Sequence, residues 1–162
     1  MRKISDKIVS RHELNEARAM LKANGKKVVF TNGCFDILHR GHVEYLQDAA
    51  ALGDVLVIGL NDDASVRRLK SADRPIVAEE DRAFLLAALE MVDYVTLFTD
   101  DTPLSLITSL LPDVLVKGGD YNRNTIVGAD VVEKNGGQIC VIPLTPGRST
   151  TGIVERIKKR IK

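Results

Sequence analysis

Five short apolar runs, rich in β-branched residues, alternate along this chain with segments whose apolar residues recur at helical spacing. Short strands separated by helices form a parallel sheet, and the helices then cover both of its faces. The sequence therefore predicts an α/β fold with a Rossmann-like, doubly wound, five-stranded parallel sheet. The predicted strands are 27–30, 54–60, 94–98, 114–116 and 139–142. The predicted helices are 10–24, 43–52, 63–68, 79–92, 103–111, 128–134 and 150–161.

Two of these helices carry further information. Ser10 and Glu13 have the spacing of a capping box, and Gly25 marks the end of the same helix. Between Glu79 and Val92 the apolar residues cover more than one stripe, which is typical of a helix that is buried on more than one side. We therefore expect a homo-oligomer in which this helix contacts a second copy of the chain.

Length and composition limit the class of protein. A chain of 162 residues corresponds to about one domain, so we expect a single domain over 1–162 with residues 1–25 as an N-terminal helical extension. The 44% of hydrophobic residues can form a core, and the net charge of +1 gives no general signal for nucleic acid. We therefore expect no nucleic acid partner. Since the sequence has no apolar membrane span and no signal-peptide pattern, we also expect no membrane partner, and a cytoplasmic chain with reduced cysteines.

The segment from Thr31 to His42 joins the first predicted strand to the next helix and carries two histidines. The free amides and the macrodipole at a helix N-terminus attract anions, so His42 would face an anion site there. His39 can converge on the same anion from the loop. Gly33 would let the backbone approach a phosphate, and Gly41 would let the second histidine pack against a nucleotide, although both could be ordinary turn glycines. The segment therefore predicts phosphate binding.

Polar, glycine-rich or basic residues also follow three other predicted strands. Ligands of open α/β sheets bind beyond the carboxyl ends of the strands, where the strand order reverses. We therefore expect these segments and the histidine motif to form one shared site. The segments are Asn61-Asp62, Lys117-Gly118-Gly119-Asp120 and, after a proline-bearing loop, Arg148-Ser149-Thr150.

Other interpretations of these residues remain open. A zinc site needs three or four protein ligands, and the remaining histidine, His12, and two cysteines, Cys34 and Cys140, form no Cys-x-x-Cys pair. The two histidines of the motif could also be a structural pair that caps the helix. For Ser149 and Thr150 the alternative to phosphate binding is simple capping of the last helix.

The residues Gly33-Cys34-Phe35-Asp36, followed by His39-Arg40-Gly41-His42, resemble the nucleotidyltransferase superfamily whose signature is His-x-Gly-His after a Gly-x-Phe-Asp turn. The resemblance covers roughly residues 26 to 160. It is closest to the adenylyltransferases that make ADP-heptose, either free-standing or as the C-terminal half of a bifunctional kinase-adenylyltransferase. It continues through Arg74-Pro75, Glu80-Asp81-Arg82, Lys117-Gly118-Gly119-Asp120-Tyr121 and Gly147-Arg148-Ser149-Thr150-Thr151.

The resemblance implies that AMP passes from ATP to a sugar 1-phosphate, with D-glycero-D-manno-heptose 1-phosphate as the first candidate, for lipopolysaccharide or capsule synthesis. Magnesium would accompany ATP and be held mostly by phosphate oxygens, since no carboxylate cluster provides metal ligands. The implied catalytic residues are His39, His42, Lys70 and Arg148. The implied nucleotide-binding residues are Thr31, Asn32, Gly33, Cys34, Phe35, Gly41, Lys117, Gly118, Asp120, Ser149 and Thr150, and the implied acceptor-binding residues are Asp36 and Arg82.

Two departures from the family pattern keep rival functions open. Cys34 stands where many relatives have threonine or serine, and Arg148 stands where several cytidylyltransferases have isoleucine. The rival enzyme is a cytidylyltransferase that acts on glycerol 3-phosphate or a related alcohol phosphate. A rival of another class is a nucleotide-binding module without turnover. No kinase-like segment precedes residue 26, so a sugar kinase step would lie on another chain, or this chain is a fragment.

Overall fold

The computed structural model describes residues 2–119 and 123–161, without the side chain of Asn124. Within these residues one sheet of five strands alternates with helices along the chain. The strands are β1 (Val28–Gly33), β2 (Val55–Asn61), β3 (Tyr94–Phe98), β4 (Val114–Gly118) and β5 (Gln138–Ile142). The α-helices are α1 (Arg11–Ala23), α2 (Arg40–Ala50), α3 (Asp63–Leu69), α4 (Glu79–Ala87), α5 (Leu104–Leu110), α6 (Ala129–Lys134) and α7 (Thr150–Ile161).

All strand pairs are parallel, and the strand order is β3-β2-β1-β4-β5. The chain winds outward from β1 through β2 to β3, and then crosses back to β4 on the other side of β1. The strand order therefore reverses between β1 and β4, which is where open α/β sheets bind ligands. The predicted doubly wound sheet is confirmed.

Two apolar layers hold helices against the two faces of the sheet. On one face, α2 and α4 contribute Leu46, Ala49 and Leu86, which are buried against β1 and β2. On the other face, α1, α5 and α6 bury side chains such as Leu14 and Ile107. Burial of apolar side chains on both faces explains why the strands read as nearly continuous apolar runs rather than as alternating patterns.

The N-terminal residues are part of this packing. Ser10 and Glu13 form the predicted capping box, and Gly25 follows the helix with a positive φ of 66°. On the inner side of α1, the guanidinium of Arg18 donates to the carbonyls of Leu110 and Leu111. The helix α1 is thus tied to the end of α5.

The helix predicted over 79–92 is shorter than expected, because α4 ends at Ala87. The backbone N–H of Asp93 donates to the carbonyl of Leu56, and the carboxylate of Asp93 accepts from the N–H of Leu56. These two bonds bring residue 93 to the sheet before β3, so the chain must leave the helix several residues earlier. A pairing with β2 therefore overrides the local helical pattern.

The expectation that this helix is buried on more than one side is also not met within the chain. Ala83, Leu86 and Ala87 are buried on one side of α4, whereas Phe84 is 51% exposed and Leu85 is 47% exposed. The structure therefore buries a single face of the helix. Separately, none of the helices within 2–119 and 123–161 combines the length and the apolarity that crossing a membrane requires.

Candidate active site

A cavity of about 460 Å³ opens at the point where the strand order reverses. The end of β1 and the following turn form its floor, β4 contributes one cation, and the start of α7 closes one side. Most of the residues that the motifs predicted for one site do meet here. The cavity is lined by Asn32, Gly33, Cys34, Phe35, Asp36, His42, Val66, Leu69, Lys70, Arg74, Lys117, Thr150 and Thr151.

Asn32 and Lys117 join the two strands on either side of the switch point. The Nζ of Lys117 donates to the Oδ1 of Asn32 at 2.6 Å. Burial lowers the pKa of Lys117, because the charged ammonium loses part of its hydration. The hydrogen bond therefore holds this cation at the cavity wall.

The two histidines lie against each other at the start of α2. Their rings are stacked with centroids 3.8 Å apart, and the backbone N–H of His42 donates to the Nδ1 of His39 at 3.3 Å. His39 is therefore the N-cap of α2, as the capping interpretation proposed. Since Nδ1 accepts this bond, the proton of a neutral His39 lies on Nε2. Capping thus leaves a ring N–H that can donate to an anion.

Both histidines resist protonation in this position. Burial, with a smaller contribution from His39, lowers the pKa of His42 to about 4. Burial is also the main cause that lowers the pKa of His39, and the positive charge of Arg148 adds to it. The rings of Phe35 and His42 pack in an edge-to-face arrangement, with their centroids 5.1 Å apart. Because both pKa values are lowered from 6.5, the imidazoles of His39 and His42 are neutral near pH 7.

A second, smaller cavity of about 160 Å³ adjoins the first. The two cavities share His42 and Thr150 in their walls. A side chain at Gly41 would place its Cβ 2.9 Å from the Cβ of Arg148. Only glycine at this position therefore lets the loop between β5 and α7 pack against α2. The smaller cavity is lined by His39, Gly41, His42, Leu144, Thr145, Arg148, Ser149 and Thr150.

Ser149 caps α7 and lies in the wall of the smaller cavity. Its Oγ accepts a hydrogen bond from the backbone N–H of Gly152 at 3.1 Å. The side chain of Arg148 beside it is exposed and makes no ion pair within the described part of the chain. A helix N-terminus with a free arginine is a good environment for an anion, so capping and phosphate binding are compatible here.

Asp36 is buried and connects the turn after β1 to the segment that follows α3. Its Oδ1 accepts from the backbone N–H groups of Ile76 and Val77 at 2.7 and 2.9 Å. Its Oδ2 lies 2.8 Å from the Nη1 of Arg74. Besides the acceptor-binding role that the resemblance implied, these bonds support a role for Asp36 in orienting the turn.

Arg82 does not reach the cavity, contrary to its implied role in acceptor binding. Its side chain is fully buried, and all three guanidinium nitrogens are occupied. They donate to the carbonyls of Val77, Cys34 and Asn61 and to the carboxylate of Asp63, at 2.6 to 2.9 Å. Arg82 therefore fixes the ends of β1 and β2 and cannot bind a phosphate without losing these bonds.

Other predicted residues are also placed differently. The hydroxyl of Thr31 is fully buried in a 2.6 Å hydrogen bond with Tyr45, so it does not line either cavity. Gly118 packs beneath Leu144 and Tyr45. At the end of β2, Asn61 is buried and Asp62 caps α3, so this strand end supports the site without entering it. Asp120 and Tyr121 lie outside the described residues.

Two polar residues of the larger cavity had no role assigned from the sequence. Arg74 and Thr151 belong to motifs that carry the resemblance, but their side chains gave no reason to choose them over their neighbours. Cys34 does line the cavity, and burial raises the pKa of its thiol, so it is a poor nucleophile there. The signal that could have identified Arg74 is its place in the segment between two predicted helices, five residues before the acidic cluster at 79–81 that starts the second helix.

The described residues offer no ready metal site. Within 2–119 and 123–161 there is no group of three or more His, Cys, Asp or Glu side chains that could hold an ion. The carboxylate of Asp36, which lines the larger cavity, already accepts from two backbone amides and is paired with Arg74. These residues do not fit a resident metal.

A shallow depression of about 610 Å³ lies elsewhere, between α1 and α5. Its cation is Arg11, whose guanidinium donates to the hydroxyls of Ser105 and Ser109. A guanidinium held in this way is occupied by the protein itself. The pair of adjoining cavities at the switch point is therefore the candidate active site.

Comparison with known proteins agrees with this geometry. Residues 30–156 match the family model described as cytidylyltransferase-like, and the chain belongs to this family of nucleotidyltransferases. It is 57% identical, over 95% of its length, to the protein named bifunctional protein HldE from Syntrophotalea carbinolica. It is 60% identical, over 84% of its length, to the protein of the same name from Geobacter metallireducens. The alignments cover 31% and 28% of those proteins, so the chain spans less than a third of the curated relatives it matches.

Solved structures support the same family and fold. The lipopolysaccharide core biosynthesis protein from Thermoplasma volcanium GSS1 is 28% identical, with a TM-score of 0.60 over 75% of this chain and 98% of that chain. Pantoate-beta-alanine ligase from Francisella tularensis, complexed with beta-gamma ATP and beta-alanine, is 15% identical, with a TM-score of 0.62 over 90% of this chain and 69% of that chain. The second likeness shows the fold alone. The family and the fold that the motifs predicted are confirmed.

Proposed function

We propose that the chain is an adenylyltransferase that moves AMP from ATP to a sugar 1-phosphate and releases pyrophosphate. The observation that carries the proposal is the pair of adjoining cavities with His42 and Thr150 in their common wall. One cavity contains Arg148 and the other contains Lys70, Arg74 and Lys117. Nucleotidyl transfer brings two phosphorylated substrates together at one phosphorus atom, and two cationic cavities that meet at a shared wall suit this requirement.

The reaction needs little covalent work from the protein. An ionised phosphate oxygen of the acceptor attacks the α-phosphorus of ATP, and the bond from that phosphorus to the bridging oxygen breaks as pyrophosphate leaves with the bonding electrons. The acceptor oxygen already carries its charge, so no base is required. Catalysis then depends on positioning and on donors that face the developing charge.

The neutral histidines are suited to act as such donors. His39 carries its proton on Nε2, since its Nδ1 accepts from the backbone of His42. The stacked pair, of which His42 belongs to the common wall and His39 to the smaller cavity, would donate to the α-phosphate and to the oxygens that separate as pyrophosphate. Arg148 and Ser149 in the smaller cavity would hold the β and γ phosphates at the N-terminus of α7.

The sugar is proposed to be D-glycero-D-manno-heptose 1-phosphate. The motifs resemble the ADP-heptose-forming half of a bifunctional kinase-adenylyltransferase, and the relatives are named bifunctional protein HldE. A match to less than a third of those relatives agrees with the chain corresponding to one of two activities. Magnesium is proposed to arrive with ATP on its phosphate oxygens. Since ATP is used in the cytoplasm, we propose that compartment, and lipopolysaccharide or capsule heptose as the destination of the product.

The first experiment measures pyrophosphate release from ATP and from CTP, each with heptose 1-phosphate and with glycerol 3-phosphate. We expect release only with ATP and the heptose, and we expect its loss in His42→Ala. The matched control is His12→Ala, because His12 is an exposed histidine on α1, far along the chain from the motif. Release with CTP alone would instead identify the rival cytidylyltransferase. ATP binding without release in any mixture would favour a binding module.

We also propose a homo-oligomer that uses the exposed side of α4. Phe84 and Leu85 there leave about half of their surface open to solvent. Sedimentation of the wild type, compared with Phe84→Ser and Leu85→Ser, tests this proposal. A wild type that sediments as a monomer at high concentration would reject it.

A further inference from the structure

We propose that Arg74 binds the phosphate of the acceptor and that Asp36 positions it there. This inference rests on the proposed function and assigns to Arg74 the role that the motif resemblance gave to Arg82. The ligand class is a phosphomonoester dianion, of which a sugar 1-phosphate is one example. The argument begins with residues 70–78, here called the strap, which connect α3 to α4.

The strap is held against the turn that follows β1. Asp36 accepts hydrogen bonds from two consecutive backbone N–H groups of the strap, those of Ile76 and Val77. The carbonyl of Val77 in turn accepts from Arg82, which is fixed in the core. The strap is therefore anchored at its C-terminal end by two buried side chains. Lys70 and Arg74 precede this anchor and line the larger cavity.

Arg74 has donors left for a ligand. Its side chain is 17% exposed, and its Nη1 lies 2.8 Å from the Oδ2 of Asp36. The two groups form an ion pair, but their alignment does not allow a hydrogen bond. The buried Nη1 therefore has no hydrogen-bond acceptor within the described residues. A guanidinium has five N–H groups in a planar fork, which matches the oxygens of a phosphate. The carboxylate thus orients the group without satisfying it.

The contrast with Arg82 decides which arginine can serve. Arg82 is 1% exposed and all its guanidinium nitrogens donate to protein oxygens at 2.9 Å or less. Moving it toward a ligand would leave buried carbonyls without partners, which is costly. Arg74 requires no such loss. A cation that is oriented but not satisfied is what a binding site for an anion needs.

The position of Arg74 assigns it to the acceptor rather than to the triphosphate. Arg148, Ser149 and His39 line the smaller cavity, and the strap cations line the larger one. In an in-line displacement the attacking and leaving groups lie on opposite sides of the phosphorus. If pyrophosphate occupies the smaller cavity, the attacking phosphate must lie across the common wall of His42 and Thr150. That side contains Arg74.

Charge also favours a doubly ionised ligand. The larger cavity contains three cations, Lys70, Arg74 and Lys117, and its one carboxylate among the described lining residues is Asp36. The formal charge of these four side chains is therefore +2. A phosphomonoester carries close to two negative charges at neutral pH. The lining would be neutralised by one such group.

The test compares Arg74→Gln with Arg68→Gln, an arginine on α3 that bonds to Asp101 and Thr99 and does not line either cavity. In Arg74→Gln we expect the KM for heptose 1-phosphate to rise by about 10- to 100-fold while the KM for ATP changes little. Arg74→Lys should recover part of the affinity, because it keeps the charge but loses the fork. An unchanged acceptor KM, or an equal rise in the KM for ATP, would overturn the assignment.

Inorganic phosphate provides a second readout that does not need turnover. Calorimetry with protein saturated by a non-hydrolysable ATP analogue should show phosphate binding to the wild type and to Arg68→Gln, and a loss in Arg74→Gln. Arg74-dependent phosphate binding in a wild type that never releases pyrophosphate would reject the proposed function and keep the anion site. Equal phosphate binding in the wild type and Arg74→Gln would reject the inference.

Asp36→Asn separates positioning from structure. An asparagine Oδ1 can still accept from the strap amides, so the strap should remain anchored while the ion pair with Arg74 is lost. We expect a smaller rise in the acceptor KM than in Arg74→Gln, with the KM for ATP and the urea midpoint close to the wild type. A parallel loss of both affinities would show that Asp36 has only a structural role.

Discussion

The two halves of the candidate active site are built in different ways. In the deep half, at the ends of β1 and β4, Asp36 is buried and Lys117 is held by Asn32. Arg82 lies outside the cavity and supports this half through its buried bonds to the carbonyls of Cys34 and Asn61. In the outer half, the loop at 143–149 and α7 carry exposed side chains, and none of the described residues of α7 is buried. The deep half makes its hydrogen bonds within the protein. The outer half presents donors to solvent.

This difference predicts how each half responds to mutation. Removing a side chain of the deep half leaves buried polar groups without partners, so its main effect is on the free energy of unfolding. Removing a donor from the outer half changes little in the free protein, so its effect appears when the triphosphate binds. The stacked histidines stand between the halves and should show both kinds of effect.

The largest expected effect is that of Arg82→Ala on stability. The substitution leaves the carboxylate of Asp63 and three carbonyls without their buried partner. We expect the free energy of unfolding in urea to fall by about 3–5 kcal/mol. Arg67→Ala is the control, since Arg67 is an exposed arginine on α3, and it should stay within about 0.5 kcal/mol of the wild type. Normal stability combined with weak acceptor binding would instead restore the role that the motif implied.

The next effect is that of His39→Asn on turnover. Asparagine is a good N-cap, so α2 should keep its stability, but the ring N–H that would face the phosphates is lost. We expect kcat to fall by about 100- to 1000-fold with an unchanged urea midpoint. His39→Ala should lose about 1 kcal/mol of stability in addition. A kcat close to that of the wild type in His39→Asn would mean that this histidine is only a cap.

Arg148→Ala should have an intermediate effect that is confined to ATP. A hydrogen bond to a charged group contributes about 1.5–3 kcal/mol, which corresponds to a rise of about 10- to 100-fold in the KM for ATP. Since Arg148 is exposed, the urea midpoint should not move. Arg156→Ala, an exposed arginine further along α7, is the matched control. A lower urea midpoint in Arg148→Ala would show that the outer half also contributes to the stability of the free protein.

The smallest effect is a pH dependence of stability that comes from His42. Its pKa is about 4 in the folded protein and 6.5 without the protein environment, so between these values the unfolded chain binds a proton that the folded protein does not. The contribution of His42 to the free energy of unfolding is therefore complete above pH 6.5 and decreases as the pH falls toward 4. We expect a decrease of about 1 kcal/mol per pH unit, which is less than the limiting slope for one proton because His42 is partly exposed. The lowered pKa of His39 acts in the same direction.

Urea unfolding of the wild type and of His42→Gln across this range checks the pH dependence. His42→Gln should flatten the curve, whereas His12→Gln should keep the slope of the wild type, because His12 is exposed. Equal slopes in all three proteins would show that His42 is not protected from protonation.

Much of the fold was predictable because the signals are local. The capping box of Ser10 and Glu13, the β-branched runs and the start of α7 at Thr150 each depend on residues within one or two turns. The exceptions follow from long-range contacts. The end of α4 is set by the bonds between Leu56 and Asp93, which are 37 residues apart, and no local pattern contains that pairing.

The candidate site shows the same division. The family and the order of the elements were predictable from the sequence, because β-branched runs, glycines and caps act at the ends of the elements that carry them. Phosphate binding by the histidine motif stays a prediction. Long-range packing accounts for the burial of Arg82, for the place of Arg74 in the cavity lining and for the bond between Thr31 and Tyr45. Whether a polar side chain is free for a ligand depends on which distant groups reach it first, and that is a property of packing.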